Sequence, residues 1–254
     1  MISIITPCRN AEKTIERTIE SVLSQNIDDF EYIIVDGLSD DNTVGIVKKY
    51  MEKDNRIFLI SEPDNSMTEA LNKGMKLAKG EWVCSINADD EYLLNVLGDV
   101  VEYMERTKCD LLFTASNHIK DGRISFRTYP KFMCNQFLLN VLDSSVPECS
   151  AFFRRDTLER LGFFDERIKY TQDYEMYIRM SRLGCKVEYL DKLVSNFYLS
   201  DDQYSTRLAK QMLDEACEYN KHKIIFYFLK RTHINNKIKV LFGWTIRYKK
   251  GEAL

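Results

Sequence analysis

Ser85-Ile86-Asn87-Ala88-Asp89-Asp90 closes a short apolar run, Trp82-Val83-Cys84-Ser85-Ile86, with two adjacent carboxylates. Trp82, Cys84 and Ile86 alternate with the residues between them, which is the period of a β-strand. Side-by-side anions repel, so Asp89 and Asp90 need a cation or free access to water, and a strand end opening into a cleft offers both. One reading is a divalent-metal site with Asp89 as the leading ligand and Asp90 beside it. The other is a helix start, with Asp90 capping a helix marked by Leu93, Val96, Leu97, Val100, Val101 and Met104.

The residues before this stretch decide what kind of sheet the strand joins. Ile2 to Thr6 is a short apolar strand ended by Pro7. Asn10 is predicted to cap a helix whose face is Ile15, Ile19, Val22 and Leu23. Phe30 to Val35 is the next strand, stopping at Asp36-Gly37. Strand, helix, strand at this spacing is a βαβ unit with a parallel sheet. Asp36 then stands at a strand's carboxyl end, where open α/β sheets bind ligands. Asp41 or Asn42 caps a second helix, Ile57 to Ile60 forms a third strand, and Ser61-Glu62-Pro63-Asp64 is a turn-rich loop. Thr68 to Lys79 reads as a third helix. Asp36, Asp64 and Asp89 are thereby expected along one sheet edge. Uncompensated buried carboxylates cost several kcal/mol each, so such a cluster implies a cation or a hydrogen-bonding ligand.

Beyond Asp90 the pattern changes. Asp110 to Ala115 is a strand, Lys120-Asp121-Gly122-Arg123 a hairpin turn, and the βα alternation gives way to antiparallel pieces near residue 116. Phe132 to Leu142 reads as helix, Ser150 to Arg154 as strand, and a short helix ends at Gly162. Tyr170-Thr171-Gln172-Asp173 opens another helix. Residues 186–190 and 194–199 are predicted as two short strands, Ser200-Asp201-Asp202-Gln203 as a polar loop, and the remainder as helical. The expected divisions are 1–115, 116–205 and 206–254.

Composition narrows the function classes. The chain has 254 residues with 44% apolar and 30% charged content, as in an ordinary globular protein. No run approaches the ~18 apolar residues of a membrane span, and the first residues read as a strand, not a signal peptide. Seven cysteines without a C-x-x-C pair argue for reduced thiols over a disulfide frame or zinc site. Only His118, His222 and His233 occur, none at ligand spacing, and no G-x-G-x-x-G marks a dinucleotide site. Net charge is −3, unevenly placed: Lys221 to Lys250 holds nine Lys or Arg and no acid, leaving residues 1–220 near −11. The tail is either a solvated helix pair packed on the body or a contact for an anionic membrane, with Ile225, Phe226, Phe228, Leu229, Phe242 and Trp244 against lipid. Nucleic acid is a poor partner for so acidic a body.

Seven short motifs in order carry a resemblance over residues 2–205. They are Ser3-Ile4-Ile5-Thr6-Pro7-Cys8-Arg9-Asn10, Ile34-Val35-Asp36-Gly37-Leu38-Ser39-Asp40-Asp41, Ser61-Glu62-Pro63-Asp64, Ala70-Leu71-Asn72-Lys73-Gly74, Asn87-Ala88-Asp89-Asp90, Gly162-Phe163-Phe164-Asp165-Glu166 and Gln172-Asp173-Tyr174-Glu175. The chain resembles a family 2 glycosyltransferase. The resemblance implies the α/β GT-A fold: a Rossmann-like, mostly parallel sheet with helices on both faces, a small antiparallel piece and C-terminal helices. It implies an enzyme that moves a sugar from a nucleotide-sugar, usually UDP-linked, to an acceptor hydroxyl with inversion, in surface polysaccharide or glycan assembly. Residues 1–115 would be the nucleotide-sugar half, 116–205 the acceptor half and 206–254 a basic extension. Thr6 and Arg9 would lie near the nucleotide, Asp36 would bond the base, and Asp89 would hold Mg²⁺ or Mn²⁺ on the diphosphate. Asp64, Asn72 and Lys73 are candidate donor contacts, with a turn and helix-surface role as the alternative. Asp173 would be the general base; otherwise it caps its helix.

The motifs also depart from the family pattern. Asn87 replaces the first Asp of the Asp-x-Asp motif, where it would still bond a ribose or water with one charge lost, and Gln172 stands where Glu is common. Asn65-Ser66 replaces an expected Lys-Gly, Thr68 a frequent Tyr, and Pro147-Glu148-Cys149-Ser150 lies where relatives often carry His. These losses leave open a catalytically weak nucleotide-sugar-binding or scaffold protein. Implied partners are a nucleotide-sugar, a glycan or lipid-linked acceptor and an anionic membrane reached through 221–250; the implied location is cytoplasmic, peripheral at the inner membrane face.

Overall fold

In the computed structural model, residues 1–142, 146–200, 208–220, 222–231 and 233–247 are described. In chain order the first half runs β1 (Ile2–Cys8), α1 (Ile15–Leu23), β2 (Phe30–Asp36), α2 (Thr43–Met51), β3 (Ile57–Ser61), α3 (Met67–Leu77), β4 (Trp82–Ser85), β5 (Glu91–Tyr92) and α4 (Leu97–Thr107). The second half runs β6 (Leu111–Lys120), β7 (Arg123–Thr128), α5 (Gln136–Leu142), β8 (Ala151–Arg154), α6 (Arg155–Leu161), α7 (Gln172–Arg182), β9 (Val187–Leu199), α8 (Ala209–Tyr219), α9 (Lys223–Arg231), α10 (Ile234–Leu241) and β10 (Thr245–Arg247).

The sheet order is β10-β7-β6-β8-β4-β1-β2-β3, with β9 beside β6 and β5 beside β9. The β4-β1-β2-β3 half is parallel throughout, as three successive βα units and their crossovers require. Antiparallel β8 turns the sheet over to β6. Trp82–Ser85 is buried on both faces, so β4 is a central strand covered by helices on each side. Two cores flank the sheet. Ile2, Ile4, Tyr32 and Ile34 pack with Ile15 and Ile19 of α1 and Val100 and Met104 of α4. Ile5, Ile33 and Val35 face Leu71 and Met75 of α3 and Tyr177 and Met180 of α7. Neighbouring β1 residues thus serve opposite layers, as strand geometry dictates.

Several local expectations change. Asn10 does not cap α1; it sits at φ 53° and its side chain accepts from the Asp40 N–H. Asp90 caps no helix either: Glu91–Tyr92 pairs with β9, and α4 starts only at Leu97. The predicted strands at 186–190 and 194–199 are one strand with register shifts opposite Thr114, Ala115 and Ser116. The hairpin at Lys120–Arg123 forms with Asp121 at φ 52° and Gly122 at φ 72°, the left-handed pair of a type I′ turn.

The tail is not all helix. Gly243 at φ 69° breaks it, and β10 pairs antiparallel with β7, Thr245 opposite Thr128. Nor are all its apolar residues free for lipid: Phe226 is 1% exposed and stacks on Tyr174 at 5.7 Å, and Trp244 packs against Phe132. Asp201, Asp202, Gln203 and Lys221 lie outside the described residues, as does the Phe228 side chain. Among the described residues no helix is long and apolar enough to cross a membrane.

Candidate active site

The strand registers put the acids on one edge. Cys8 of β1 is opposite Asp36 of β2, and Asp36 is opposite Ser61 of β3. On the other flank Ser85 of β4 is opposite Ile5, and the Ile86 N–H donates to the Ile5 carbonyl. Asp36 and the Asn87–Asp89 turn therefore leave the sheet at the same carboxyl edge, with β1 between them. Two inter-strand spacings of ~4.8 Å separate their strands, about 10 Å in all. That span suits a base and a diphosphate held at opposite ends of one nucleotide.

On the β2 flank the site is preorganised. The Asp36 carboxylate is fully enclosed and accepts from the Ser61 hydroxyl at 2.7 Å and from the Ser39 hydroxyl and N–H. The loops after β1 and β2 are stitched together. The Asn10 N–H donates to Ser39, the Glu12 N–H to Asp41, and the Asn42 N–H to Glu12. Asp41, not Asn42, satisfies the start of α2, accepting from the Thr43 N–H and hydroxyl. Asp64 closes over this flank: a Cβ built on Gly37 would fall 2.3 Å from Asp64 Oδ2, so only glycine admits that carboxyl. Burial pushes Asp64 up, while the nearby Lys73 and Arg9 cations pull it down.

The other candidates on this side are occupied. The Thr6 hydroxyl is buried against Tyr32 Oη at 2.9 Å. Lys73 donates to the Pro63 carbonyl at 2.6 Å and pairs with Glu62 and Glu69, latching the β3–α3 loop. Asn72 is 2% exposed. It spends both amide hydrogens on the Phe164 carbonyl and Glu166, and its Oδ1 accepts from the Phe164 N–H. It thereby holds the 162–167 loop and borders a cleft of about 520 Å³ lined by Lys76, Glu166 and Arg179.

On the β4 flank the paired carboxylates diverge. Asp90, expected beside Asp89 as a ligand, is instead fully enclosed, accepting from the Tyr198 N–H at 2.9 Å and the Asn87 amide at 3.3 Å. Burial and then Asp89 hold its pKa well above the usual carboxylate range. Asp89 is half-buried, and burial raises it too, against the pull of Arg17. Arg17 of α1 donates to the Asp89 carbonyl and lies 3.7 Å over the Tyr198 ring. Asn87 Oδ1 is buried without a partner. A partnerless oxygen beside a carboxylate disfavoured as an anion is a donor pair suited to a hard cation. Mg²⁺-like ions on phosphates take one or two protein oxygens and fill the rest from substrate and water. Among the described residues no three His, Cys, Asp or Glu groups could hold a metal by themselves.

Asp173 is coupled electrostatically to the same edge through Glu148, in the stretch Pro147–Ser150 that departs from the family's frequent His. Glu148 lies in a 3-10 turn before β8, and Ser85 at the end of β4 donates to its Oε1 at 2.9 Å. Burial pushes Glu148 up to about 8, with the charge of Asp173 as the second cause. Asp173 is half-buried in the first turn of α7. That turn is fixed from below by Glu215 of α8, which accepts from the N–H groups of Lys169, Tyr170 and Thr171. Gln172 Oε1 and Tyr177 Oη, on either side of Asp173, are buried without partners. The stretch Pro147–Ser150 stood out in the sequence only as a departure from a frequent His; the part played by Glu148 shows in its 63-residue reach to Ser85.

A parallel half joined to an antiparallel half, with acids at the shared edge, is the arrangement expected of the GT-A fold. The model of Glycosyl transferase family 2 matches residues 3–162, and the chain belongs to that family. It is 26% identical over 252 residues to an uncharacterized glycosyltransferase of Methanocaldococcus jannaschii, covering 93% of this chain and 80% of that one. It is 25% identical over 264 residues to the Escherichia coli UDP-Glc:alpha-D-GlcNAc-diphosphoundecaprenol beta-1,3-glucosyltransferase WfaP, covering 96% and 97%. The match to Pasteurella multocida chondroitin synthase spans only 21% of that longer protein. S. aureus TarS in complex with UDP-GlcNAc superposes with TM-score 0.67 at 22% identity, over 92% of this chain and 72% of that one. The Pyrobaculum calidifontis mannosyltransferase PcManGT, with GDP-Man and Mn²⁺, gives 0.66 at 17%, over 100% and 76%. These likenesses establish the GT-A fold, and the protein is a glycosyltransferase.

Proposed function

We propose that the chain transfers a sugar from a UDP-sugar to an acceptor hydroxyl with inversion, in the assembly of a polysaccharide or glycan. The observation that carries this reading is the common carboxyl edge of Asp36 and Asn87–Asp89, joined to Asp173 through Glu148 and Ser85. Asp36, already bonded to Ser39 and Ser61, presents its remaining acceptor capacity to an N–H of the base. Arg9 and Asp64 border the ribose side. Asn87 and Asp89 would hold a divalent cation, which supplies neutralisation of the charge on the departing diphosphate. Asp173 takes the proton of the acceptor hydroxyl. That oxygen forms the bond to the anomeric carbon as the carbon–phosphate oxygen bond breaks, its electron pair leaving with the nucleotide. On this reading residues 1–115 bind the donor, 116–205 the acceptor, and 206–254 extend the acceptor half.

Nucleotide release from a panel of UDP- and GDP-sugars, with Mn²⁺ or chelator and a polyprenyl-diphosphate-sugar acceptor, tests the proposal. Asp173→Asn should lower transfer by about 10²–10⁴ while UDP binding is retained. Tight UDP binding with no turnover of any donor would favour the scaffold alternative instead.

An anionic membrane as the place of work also has support. Residues 122–142 and 220–251 contain no Asp or Glu, and the β7–β10 pairing and the Phe132–Trp244 and Phe137–His222 ring contacts bring the two stretches together. Ile224, Leu241 and Phe242 are exposed beside them. Basic surface with protruding apolar groups is the composition of a peripheral membrane face. Leu241→Glu with Phe242→Glu should abolish sedimentation with phosphatidylglycerol vesicles; unchanged sedimentation would remove the membrane from the proposal.

A further inference from the structure

We propose that Glu148 is a positioning residue for Asp173: a second buried carboxyl, lodged between the end of β4 and the first turn of α7, that keeps its proton in the resting site so that the pair shows the acceptor a single negative charge. The inference rests on the reading of Asp173 as the base and adds what sets that base's charge.

Position comes first. Glu148 is 6% exposed, in a turn packed against β4, β6 and β9. What those strands present nearby is uncharged: Ser85 donates to Glu148, and Thr114 and Ser195 bond to Ser150 in the same turn. The titratable groups facing it are Asp173 and Tyr177 from α7 and Cys149 from its own turn. Among the described residues its surroundings therefore hold one other carboxyl, two groups neutral at physiological pH and the hydroxyls of Ser85, Thr114, Ser150 and Ser195. A carboxylate enclosed with another carboxylate and no cation is driven to its neutral form, which agrees with a Glu148 titrating near 8. The partnerless Tyr177 hydroxyl, which feels both Glu148 and Asp173, marks their surroundings as polar and incompletely satisfied, as a site for a hydroxyl substrate would be.

The consequence is electrostatic. Two close carboxyls lose their protons as a pair, the second with difficulty. With Glu148 neutral, the two carboxyls together carry one negative charge and not two. The acceptor proton then moves to Asp173 while Glu148 neither gains nor loses one. Once Glu148 ionises, two negative charges stand beside a nucleotide diphosphate that is itself anionic. Donor binding weakens, so the donor KM rises on the alkaline side while kcat changes less.

Infrared titration of the full chain without substrate, for wild type and Glu148→Gln, tests the proton directly. The wild type should show a protonated-carboxyl component that persists through neutral pH and is lost near pH 8; Glu148→Gln should lack that component and keep any band of Asp90. Ser85→Ala, which removes the donor favouring the ionised form, should move the loss of the Glu148 component to higher pH. In steady-state kinetics the alkaline rise in donor KM should be present in wild type and absent in Glu148→Gln. No band that Glu148→Gln removes, or superimposable KM profiles, would overturn the proposal. Should no donor be turned over, the base reading falls, yet the infrared arm still decides whether Glu148 holds its proton.

Discussion

Replacing Glu148 by Gln should stabilise the fold, and increasingly so as pH rises. Glu148 has an ordinary value of 4.5 and is pushed up to about 8 by burial and by Asp173. Between those values the folded chain binds a proton at this site that the unfolded chain has released. Stability therefore falls with rising pH through that window and levels off above it. At ~1.36 kcal/mol per unit, the loss amounts to about 3 kcal/mol by pH 7 and about 5 kcal/mol by pH 8. Gln keeps the size and the oxygen that accepts from Ser85, and it has no proton to retain. Urea unfolding of both proteins at pH 5, 6, 7 and 8 measures the effect. Asp89 and Asp90 are also raised and slope wild-type stability in the same sense, so the quantity to follow is the difference between the two proteins. It should grow by a few kcal/mol across the series in favour of Glu148→Gln. A difference that stays flat with pH would mean that Glu148 is ionised in the folded state, and the argument from its burial would be refuted.

Gly37→Ala should weaken UDP binding, because the new Cβ displaces the Asp64 carboxyl 2.3 Å away; such overpacking costs about 1–3 kcal/mol, and calorimetry with UDP reads it. Asn87→Asp replaces the amide that donates to Asp90 with a third carboxyl in the turn. It should lose about 1–3 kcal/mol without metal and show a larger rise in melting temperature on adding Mn²⁺ and UDP than wild type does. Phe226→Ala should cost about 3–5 kcal/mol in chemical unfolding, since that ring is enclosed against Tyr174; a neutral result would mean that the tail is not part of the core.

What was legible in the sequence is what short-range pattern encodes. β1 to β4 were readable because each apolar run ends at a turn residue, and the alignment of their carboxyl ends follows from the parallel connection alone. The turn at Asp121-Gly122 was readable because only such residues take both left-handed conformations. The errors share a cause: one residue type serves two local roles. A polar Asn after a strand reads as a cap, yet Asn10 ties two loops together. Leu93 fits a helical period with Val96 and Leu97, yet its N–H pairs with the Val194 carbonyl. Asp89 and Asp90 are identical in sequence terms, and only the inward turn toward Tyr198 separates them. Glu148 stood in a stretch marked only as a departure from the family pattern, and Glu215 was unmarked, because their partners lie 63 and about 45 residues away.

The separation of Asp89 from Asp90 and of Asp173 from Glu148 follows one pattern, and it bears on how the site works. Each pair sets a half-buried carboxyl against one that is almost wholly enclosed, and in each the enclosed member is pushed up by burial first and by its partner second. An enclosed acid pushed toward its neutral form supplies hydrogen-bonding shape with less charge, and its less buried neighbour meets the ligand. Near the diphosphate this matters because every extra negative charge opposes donor binding, while too few leave neither a seat for a cation nor a base. Substituting the enclosed member by its amide should therefore preserve binding and reshape the pH response, whereas the same change at Asp89 or Asp173 should abolish, respectively, the metal dependence or the turnover. Asp90→Asn and Asp89→Asn, compared by Mn²⁺ titration of UDP binding, separate these outcomes. Equal loss of Mn²⁺ dependence in both would show that Asp90 turns outward to ligate, and the division of labour argued for both pairs would fail with it.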